Sequence, residues 1–363
     1  MKYKILFLTK SFGVGGRETQ MVSLIRAVKR YYPEIDISLA IFNKCTHDIL
    51  GLDSNQINLI QYPLYNPLNL KDAIQIKKLL RLEKYSFILA IDEYVVPLAI
   101  YISLFSNIKF INGSLRHGKV NYFHKRQLFR NAFYRFSKYI IANSREGFKA
   151  NKLLFNKNKF VLYNGIDSRF LNFERTYNND SNLVLLSVSR LHPIKDFITV
   201  FNAIAILHHK GIKDIKYYIV GDGVEKNKLQ HYVSKTGIKD YVHFVGNQSD
   251  VMSYYKTADI FIHSSKSEGC PNVVLEAMSN GLPVIATDTG GTKEIVNSSN
   301  GILFKFKNER MLSKKIELLL NNKDLRQNLG ETARNYVLKN HSYQALANNF
   351  VNILNKINER SNL

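Results

Sequence analysis

The chain has 363 residues, 45% of them hydrophobic, 12% aromatic and 22% charged, with a formal net charge of +22. That length predicts two domains with a core each, and the aromatic and β-branched content excludes global disorder. Two cysteines, Cys45 and Cys270, exclude a disulfide framework and fit a reducing compartment, while 51 basic against 29 acidic residues point to an anionic partner.

In chain order, Met1-Lys2-Tyr3-Lys4 leads into four apolar residues, Ile5 to Leu8, too few for a signal core. A strand over Ile5–Thr9 runs into Ser11-Phe12-Gly13-Val14-Gly15-Gly16-Arg17-Glu18 and then a helix over Gln20–Arg30. Glycines let backbone approach a ligand, and a helix N-terminus offers free N–H groups to an anion. Glu18 stands where a dinucleotide fingerprint needs its third glycine, so the loop alone reads as a phosphate or sugar contact or as a plain turn. Strands follow over Ile37–Phe42 and Phe87–Ile91, with a helix over Lys71–Lys84 between them. The apolar stretch Phe87–Phe105 is broken by Asp92, Glu93 and Pro97, and its clean part, Tyr94–Phe105, is about half a bilayer span. A soluble, cytoplasmic chain is expected.

Strand Ile108–Ile111 precedes a loop holding Arg116 and His117, and a helix is expected over Tyr122–Lys138. Its stripe of Tyr122, Phe129, Phe133 and Phe136 suits docking on a core. Phe123, Arg130 and Tyr134 lie to one side, with Arg126 between the two sets, either as a basic-aromatic surface for an anionic membrane or as a solvated basic face with its aromatics buried. Residues 1–166 carry 26 basic and 10 acidic side chains, against 25 and 19 in the remainder, so the first half holds most of the excess. No nucleic-acid-binding module accompanies it, and nucleic acid is not expected as a partner.

After strands Tyr139–Ala142 and Phe160–Tyr163, Asn164-Gly165-Ile166-Asp167 and the polar run Arg175–Asn182 read as a linker. Six more strands follow, over Val184–Val188, Lys216–Val220, Val242–Val245, Ile260–His263, Pro283–Ala286 and Gly301–Phe304. Helices are expected over Phe197–His209 and Val273–Asn280, and three helical segments close the chain. Alternating strands and helices, with nearly continuous apolar strands, predict an α/β protein with parallel sheets covered on both faces. We place one doubly wound domain over 1–166, a second over 167–341, and a closing helix over 342–363.

The second domain opens with Ser189-Arg190-Leu191-His192-Pro193-Ile194-Lys195-Asp196 between a strand and a helix. Open α/β sheets bind ligands at such connections, where Arg forks onto phosphate oxygens and Lys acts as a compact charge. Two solvated loop charges are the plainer alternative. Further on, Glu268 ends a loop and Glu276 stands eight residues later in a helix, the two flanking Gly269-Cys270-Pro271-Asn272-Val273. Carboxylates accept paired hydroxyl hydrogen bonds, so this spacing suits a polyhydroxylated ligand, although it is common by itself.

Taken in order, Gly-Gly-x-Glu after the first strand, Arg-Leu-x-x-x-Lys and Glu-x7-Glu make the chain resemble the family-4 retaining glycosyltransferases. Asn164-Gly165-Ile166-Asp167, Gly221-Asp222-Gly223 and Ala286-Thr287-Asp288-Thr289-Gly290-Gly291 support the resemblance, which is firm over 183–300 and loose over 20–110. It implies the GT-B fold: two Rossmann-like doubly wound domains facing a central cleft, the last helix crossing back to the first domain. It further implies that Arg190 and Lys195 bind the donor diphosphate and that Glu268, with the backbone of Gly269, Cys270, Pro271, Asn272 and Val273, holds the transferred sugar. Glu276 would hold the ribose, Gly246 would begin the base-contacting loop, and Gly15 and Gly16 would approach the phosphate. His117 would lie near the donor sugar, with Arg116 as the alternative functional side chain in that loop.

The implied activity is a retaining transfer of a hexose or N-acetylhexosamine from a nucleotide sugar, UDP-sugar ahead of GDP-sugar, to a glycan or lipid-linked acceptor. Bacterial surface polysaccharide or lipopolysaccharide assembly is the implied setting, with the basic N-terminal domain on the inner membrane face. The chain contains no Asp-x-Asp, so no metal or other cofactor is expected. A sugar-nucleotide epimerase of the same architecture and a non-catalytic binding subunit are the alternatives from other classes.

Overall fold

The computed structural model describes residues 3–11, 15–42, 57–61, 71, 74, 76, 78, 85–104, 106–115, 132–153, 158–167, 170 and 183–360. The chain divides into two compact units, one of Met1–Gly165 with Tyr343–Leu363 and one of Ile166–Ser342.

In the first unit, β1 (Lys4–Thr9), α1 (Gly16–Tyr31), β2 (Asp36–Ile41), β3 (Asn58–Gln61), β4 (Phe87–Ala90), α2 (Val96–Leu104), β5 (Lys109–Asn112), β6 (Tyr139–Ala142), α3 (Arg145–Ala150) and β7 (Lys159–Val161) follow one another. Their sheet has the order β3-β2-β1-β4-β5-β6-β7, with parallel pairings such as Leu6 opposite Ser38 and Ile88. The strands are apolar on both faces because both are covered. On one face Ile5, Phe7, Met21, Ile25 and Val28 pack with Leu346, Phe350 and Leu354 of the last helix, Tyr343–Glu359. Burying a side chain such as Phe350 contributes roughly 1.5–3 kcal/mol. Polar ties hold that helix in place: Tyr3 Oη donates to Asn355 Oδ1 at 2.7 Å, and Tyr343 Oη donates to Ser23 Oγ at 3.3 Å.

The helical stripe expected over Tyr122–Lys138 is corrected where it is described. Residues 132–136 are helical, but Phe136 is 73% exposed, whereas Tyr134, expected on the basic face, is buried against Leu115, Ile140 and Phe148. The helix ends at Ser137, whose hydroxyl donates to Phe133 O at 2.6 Å and accepts Asn112 Nδ2–H at 2.9 Å. Within this last turn the face that meets β6 and α3 therefore carries Tyr134, and Phe136, two residues on, falls on the opposite side. Tyr122, Phe123, Arg126, Phe129 and Arg130 lie outside the described residues. Strand β3 was not expected from the sequence.

The second unit holds β8 (Leu183–Val188), α4 (Phe197–His209), β9 (Ile215–Val220), α5 (Lys226–Lys235), β10 (Val242–Gly246), α6 (Met252–Thr257), β11 (Ile260–His263), α7 (Asn272–Ser279), β12 (Val284–Thr287), α8 (Thr292–Ile295), β13 (Ile302–Phe304), α9 (Glu309–Leu320) and α10 (Lys323–His341). Its six strands are parallel in the order β10-β9-β8-β11-β12-β13, so the direction of winding reverses between β8 and β11. Val200, Phe201, Ile204 and Leu207 of α4, an unbroken apolar stripe, seal one face with Tyr217, Ile219, Ile260 and Ile316. Asn308 and Asn322 cap α9 and α10, each accepting a backbone N–H three residues on.

Candidate functional site

The reversal between β8 and β11 is where an open parallel sheet leaves room for a ligand, because the connections leaving the two strands run to opposite faces. The strands pair only at Ile260–Leu185 and Phe261–Leu186 before they part. Beyond that, the Ser187 hydroxyl spans the gap, donating to Ile262 O at 2.6 Å and accepting Tyr217 Oη–H at 2.7 Å.

The connection after β8 is laid over the end of β9. Ser189 N–H donates to Val220 O and Leu191 N–H to Asp222 O, both at 3.0 Å. A Cβ on Gly221 would stand 2.1 Å from Ser189 O, and one on Gly223 would stand 2.4 Å from Leu191 O, so Gly221-Asp222-Gly223 is a packing requirement of this connection. Gly221 also has a φ of +133°, which L side chains rarely adopt. Gly246, ending β10 after a bulge, accepts the Gly221 N–H at 2.8 Å. Pro193–Lys195 then makes a single 3-10 turn before α4.

The loop after β11 is laced to that turn. Ser264 Oγ donates to Lys195 O at 2.7 Å, and Lys266 N–H donates to Ile194 O at 2.7 Å. Ser265 O in turn accepts Thr287 Oγ1–H and Thr289 Oγ1–H at 2.6 and 2.8 Å, and Glu268 O accepts Gly291 N–H at 2.9 Å. With both backbones anchored, Lys195 Nζ meets Glu268 Oε1 at 2.5 Å across the winding reversal, each side chain 19% exposed. His263, the last residue of β11 and 4% exposed, points Nε2 at the same oxygen from 3.6 Å, beyond hydrogen-bond length.

Burial works to raise the Glu268 carboxyl, but the adjacent His263 imidazole and Lys195 ammonium outweigh it and hold the group well below the usual carboxylate range. Burial, reinforced by the Lys195 charge, pushes the His263 imidazole down, against the pull of Glu268. Glu268 is therefore held as the carboxylate beside Lys195, with a buried, neutral imidazole next to both.

Glu276 sits one turn into α7, where Oε2 accepts Tyr255 Oη–H of α6 at 2.8 Å. Burial, then the Glu276 charge, drives the Tyr255 phenol well above its usual range, so it remains a donor. Gly269, Cys270, Pro271, Asn272 and Val273 join Glu268 to this helix, with Cys270 and Pro271 buried. Arg190 is exposed, and among the described residues its guanidinium has no ion pair. Gly15 and Gly16 lie in the first unit, as N-cap and first residue of α1, and Gly15 has an extended backbone open to any residue. Arg116 and His117 lie outside the described residues. Sequence reasoning thus named Lys195 and Glu268 but not their contact. It treated His263 as the end of a buried strand and passed over Tyr255, whose only signal is helical spacing from a strand. Among the described residues, no group of three or more His, Cys, Asp or Glu could hold a metal ion, and no helix is long and apolar enough to cross a membrane.

Two parallel, doubly wound sheets with a last helix packed in the first unit define the GT-B fold. The structure of Anabaena HepE in complex with UDP superposes with a TM-score of 0.81 at 21% identity, covering 97% of this chain and 100% of that one. Residues 168–336, nearly the whole of the second unit, match the family model of the glycosyl transferases group 1. An uncharacterised glycosyltransferase of Haemophilus influenzae is 34% identical over 42% of this chain and 44% of its own length. The lipopolysaccharide core biosynthesis glycosyltransferase LpsE of Rhizobium meliloti is 26% identical over 47% and 49%. The chain spans about half the length of the curated relatives it matches.

Proposed function

We propose that the chain is a retaining glycosyltransferase. It moves a hexose or N-acetylhexosamine from a nucleotide sugar, UDP-sugar ahead of GDP-sugar, to a membrane-associated glycan or lipid-linked acceptor. The setting is surface polysaccharide or lipopolysaccharide assembly at the cytoplasmic membrane face, the basic first unit meeting anionic lipid. The observation that carries this reading is the Lys195–Glu268 pair at the winding reversal of a group 1 unit. The donor preference draws on HepE, whose structure holds UDP, and the setting on LpsE, named for lipopolysaccharide core biosynthesis.

Breaking an anomeric C–O bond leaves positive charge on the sugar and a nucleoside diphosphate as leaving group. In this reading Lys195 and Arg190, both on the connection after β8, neutralise that growing negative charge, the part a divalent metal would otherwise play. Glu268 accepts hydroxyls of the transferred sugar, beside the backbone of 269–273, and Glu276 accepts the ribose diol. His117, or Arg116 in its place, together with Gly15 and Gly16, complete the donor contacts in this reading, and Gly246 flanks the base.

The test incubates the EDTA-treated chain with UDP-glucose, UDP-N-acetylglucosamine or GDP-mannose and extracted membrane glycolipids, and follows acceptor mass. A gain of one sugar with release of nucleoside diphosphate is expected, in the same anomeric configuration as the donor. Interconversion of donor sugars without acceptor gain would instead mark an epimerase.

A further inference from the structure

Two donors converge on one oxygen of Glu268. Lys195 Nζ occupies Oε1 at 2.5 Å, while His263 Nε2 waits 3.6 Å away, buried and, among the described residues, without a hydrogen-bond partner. A buried N–H left unsatisfied is costly, and its nearest acceptor is the carboxylate that Lys195 already holds. We propose that His263 is a positioning residue, the alternate partner that takes Glu268 when a donor diphosphate draws Lys195 away. This rests on the reading that Lys195 meets the diphosphate.

The geometry makes the exchange a side-chain event. Lys195 O is held by Ser264 Oγ–H, and Glu268 O by Gly291 N–H, so neither backbone has to move. Lys195 is partly exposed and able to turn toward an anion, whereas His263 is fixed at the end of β11, opposite Ala286 of β12. Closing 3.6 Å to an ordinary hydrogen bond of about 2.8 Å takes less than an ångström of carboxylate movement. Burial keeps the imidazole neutral, and a carboxylate neighbour selects the tautomer with its proton on Nε2. While Lys195 faces Glu268 it neutralises the carboxylate; once Lys195 turns to a diphosphate, His263 hydrogen-bonds Glu268 and the carboxylate stays oriented for sugar hydroxyls.

A double-mutant cycle on UDP affinity, measured by titration calorimetry, tests the exchange. His263→Phe keeps a ring but leaves Glu268 unpartnered once Lys195 departs, so UDP binding should weaken about tenfold. His263→Gln, with an amide N–H near the Nε2 position, should restore affinity to within about threefold of wild type. In a Lys195→Met background no exchange takes place, and His263→Phe should then change UDP affinity less than about twofold. An equal loss in both backgrounds, or a His263→Gln variant as impaired as His263→Phe, overturns the exchange and leaves His263 a packing residue. Should Lys195→Met bind UDP like wild type, or wild type fail to bind UDP, GDP or ADP, the reading of Lys195 itself fails, and the exchange with it. Thermal melting of each variant without nucleotide separates lost folding from lost affinity.

Discussion

Each sheet reverses its winding beside the first strand of its unit, between β1 and β4 in one and between β8 and β11 in the other, and each reversal holds a carboxylate. Asp92, after β4, is 4% exposed and spent on structure: it accepts Thr9 Oγ1–H at 3.0 Å and the backbone N–H groups of Lys10, Tyr94 and Val95 at 2.5, 2.9 and 3.3 Å. Among the described residues, Glu268, after β11, has side-chain partners alone on its carboxylate, a lysine that can turn away and a histidine not quite in reach. Backbone donors lock a carboxylate in place, whereas side-chain donors can be exchanged for a ligand. The same topology thus builds a closed crossing in one unit and an open one in the other.

The sharpest way to break the second crossing is Gly221→Ala. With a Cβ 2.1 Å from Ser189 O at a φ of +133°, the connection carrying Lys195 is displaced. We expect a loss of about 4 kcal/mol in the stability of the second unit, read by chemical denaturation. Next comes the direct contrast of the two carboxylates. Asp92→Ala strands three backbone N–H groups, takes an acceptor from the buried Thr9 hydroxyl and should cost about 3 kcal/mol of first-unit stability. Glu268→Gln gives up the pairing with Lys195 but strands no backbone N–H, so it should cost less stability than Asp92→Ala and yet cut turnover at least tenfold. A Glu268→Gln variant that unfolds while still turning over would erase the distinction.

Acid provides a subtler probe. Glu268 and His263 both have folded pKa values below their ordinary 4.5 and 6.5, so the unfolded chain binds more protons as pH falls. Their stabilisation is complete above about pH 7 and is lost first below 6.5, through His263, then below 4.5, through Glu268. Asp196, whose carboxyl burial raises, contributes in the opposite sense. Melting of the His263→Phe variant should lose the first step and keep the second. The smallest effect is expected from Tyr255→Phe, about 1 kcal/mol in stability. If Tyr255 orients Glu276 toward a ribose, that variant should weaken UDP severalfold and leave 2′,3′-dideoxy-UDP unchanged; equal weakening of both would make the contact structural.

Much of this was legible in the sequence because covered parallel strands are short apolar runs. Tyr139–Ala142 and Ile260–His263 were placed to the residue, as was helix α4. Asn58–Gln61 escaped because it is an edge strand, half-exposed and polar at both ends, where no second neighbour demands an apolar run. Periodicity also misplaced Tyr134 and Phe136, since two aromatic stripes of one helix are alike in sequence and which of them is covered depends on tertiary neighbours, here Leu115, Ile140 and Phe148. For the site, spacing supplied Lys195 and Glu268 as members of separate motifs. Their meeting depends on strand order, and His263 enters only because β11 ends where it does.

The last helix completes the core of the unit to which the first 165 residues belong. On the ribosome, β1 and α1 emerge with Ile5, Phe7, Met21, Ile25 and Val28 still lacking the side chains that finally cover them. At about 5–20 residues per second, Ile166–Ser342 takes on the order of ten seconds or more to synthesise before Tyr343 appears. The second unit is continuous in sequence and able to fold as it is made, while the first waits with an apolar groove open. A chain cut before Tyr343 is therefore expected to keep a folded second unit while its first unit loses the helix that closes its core.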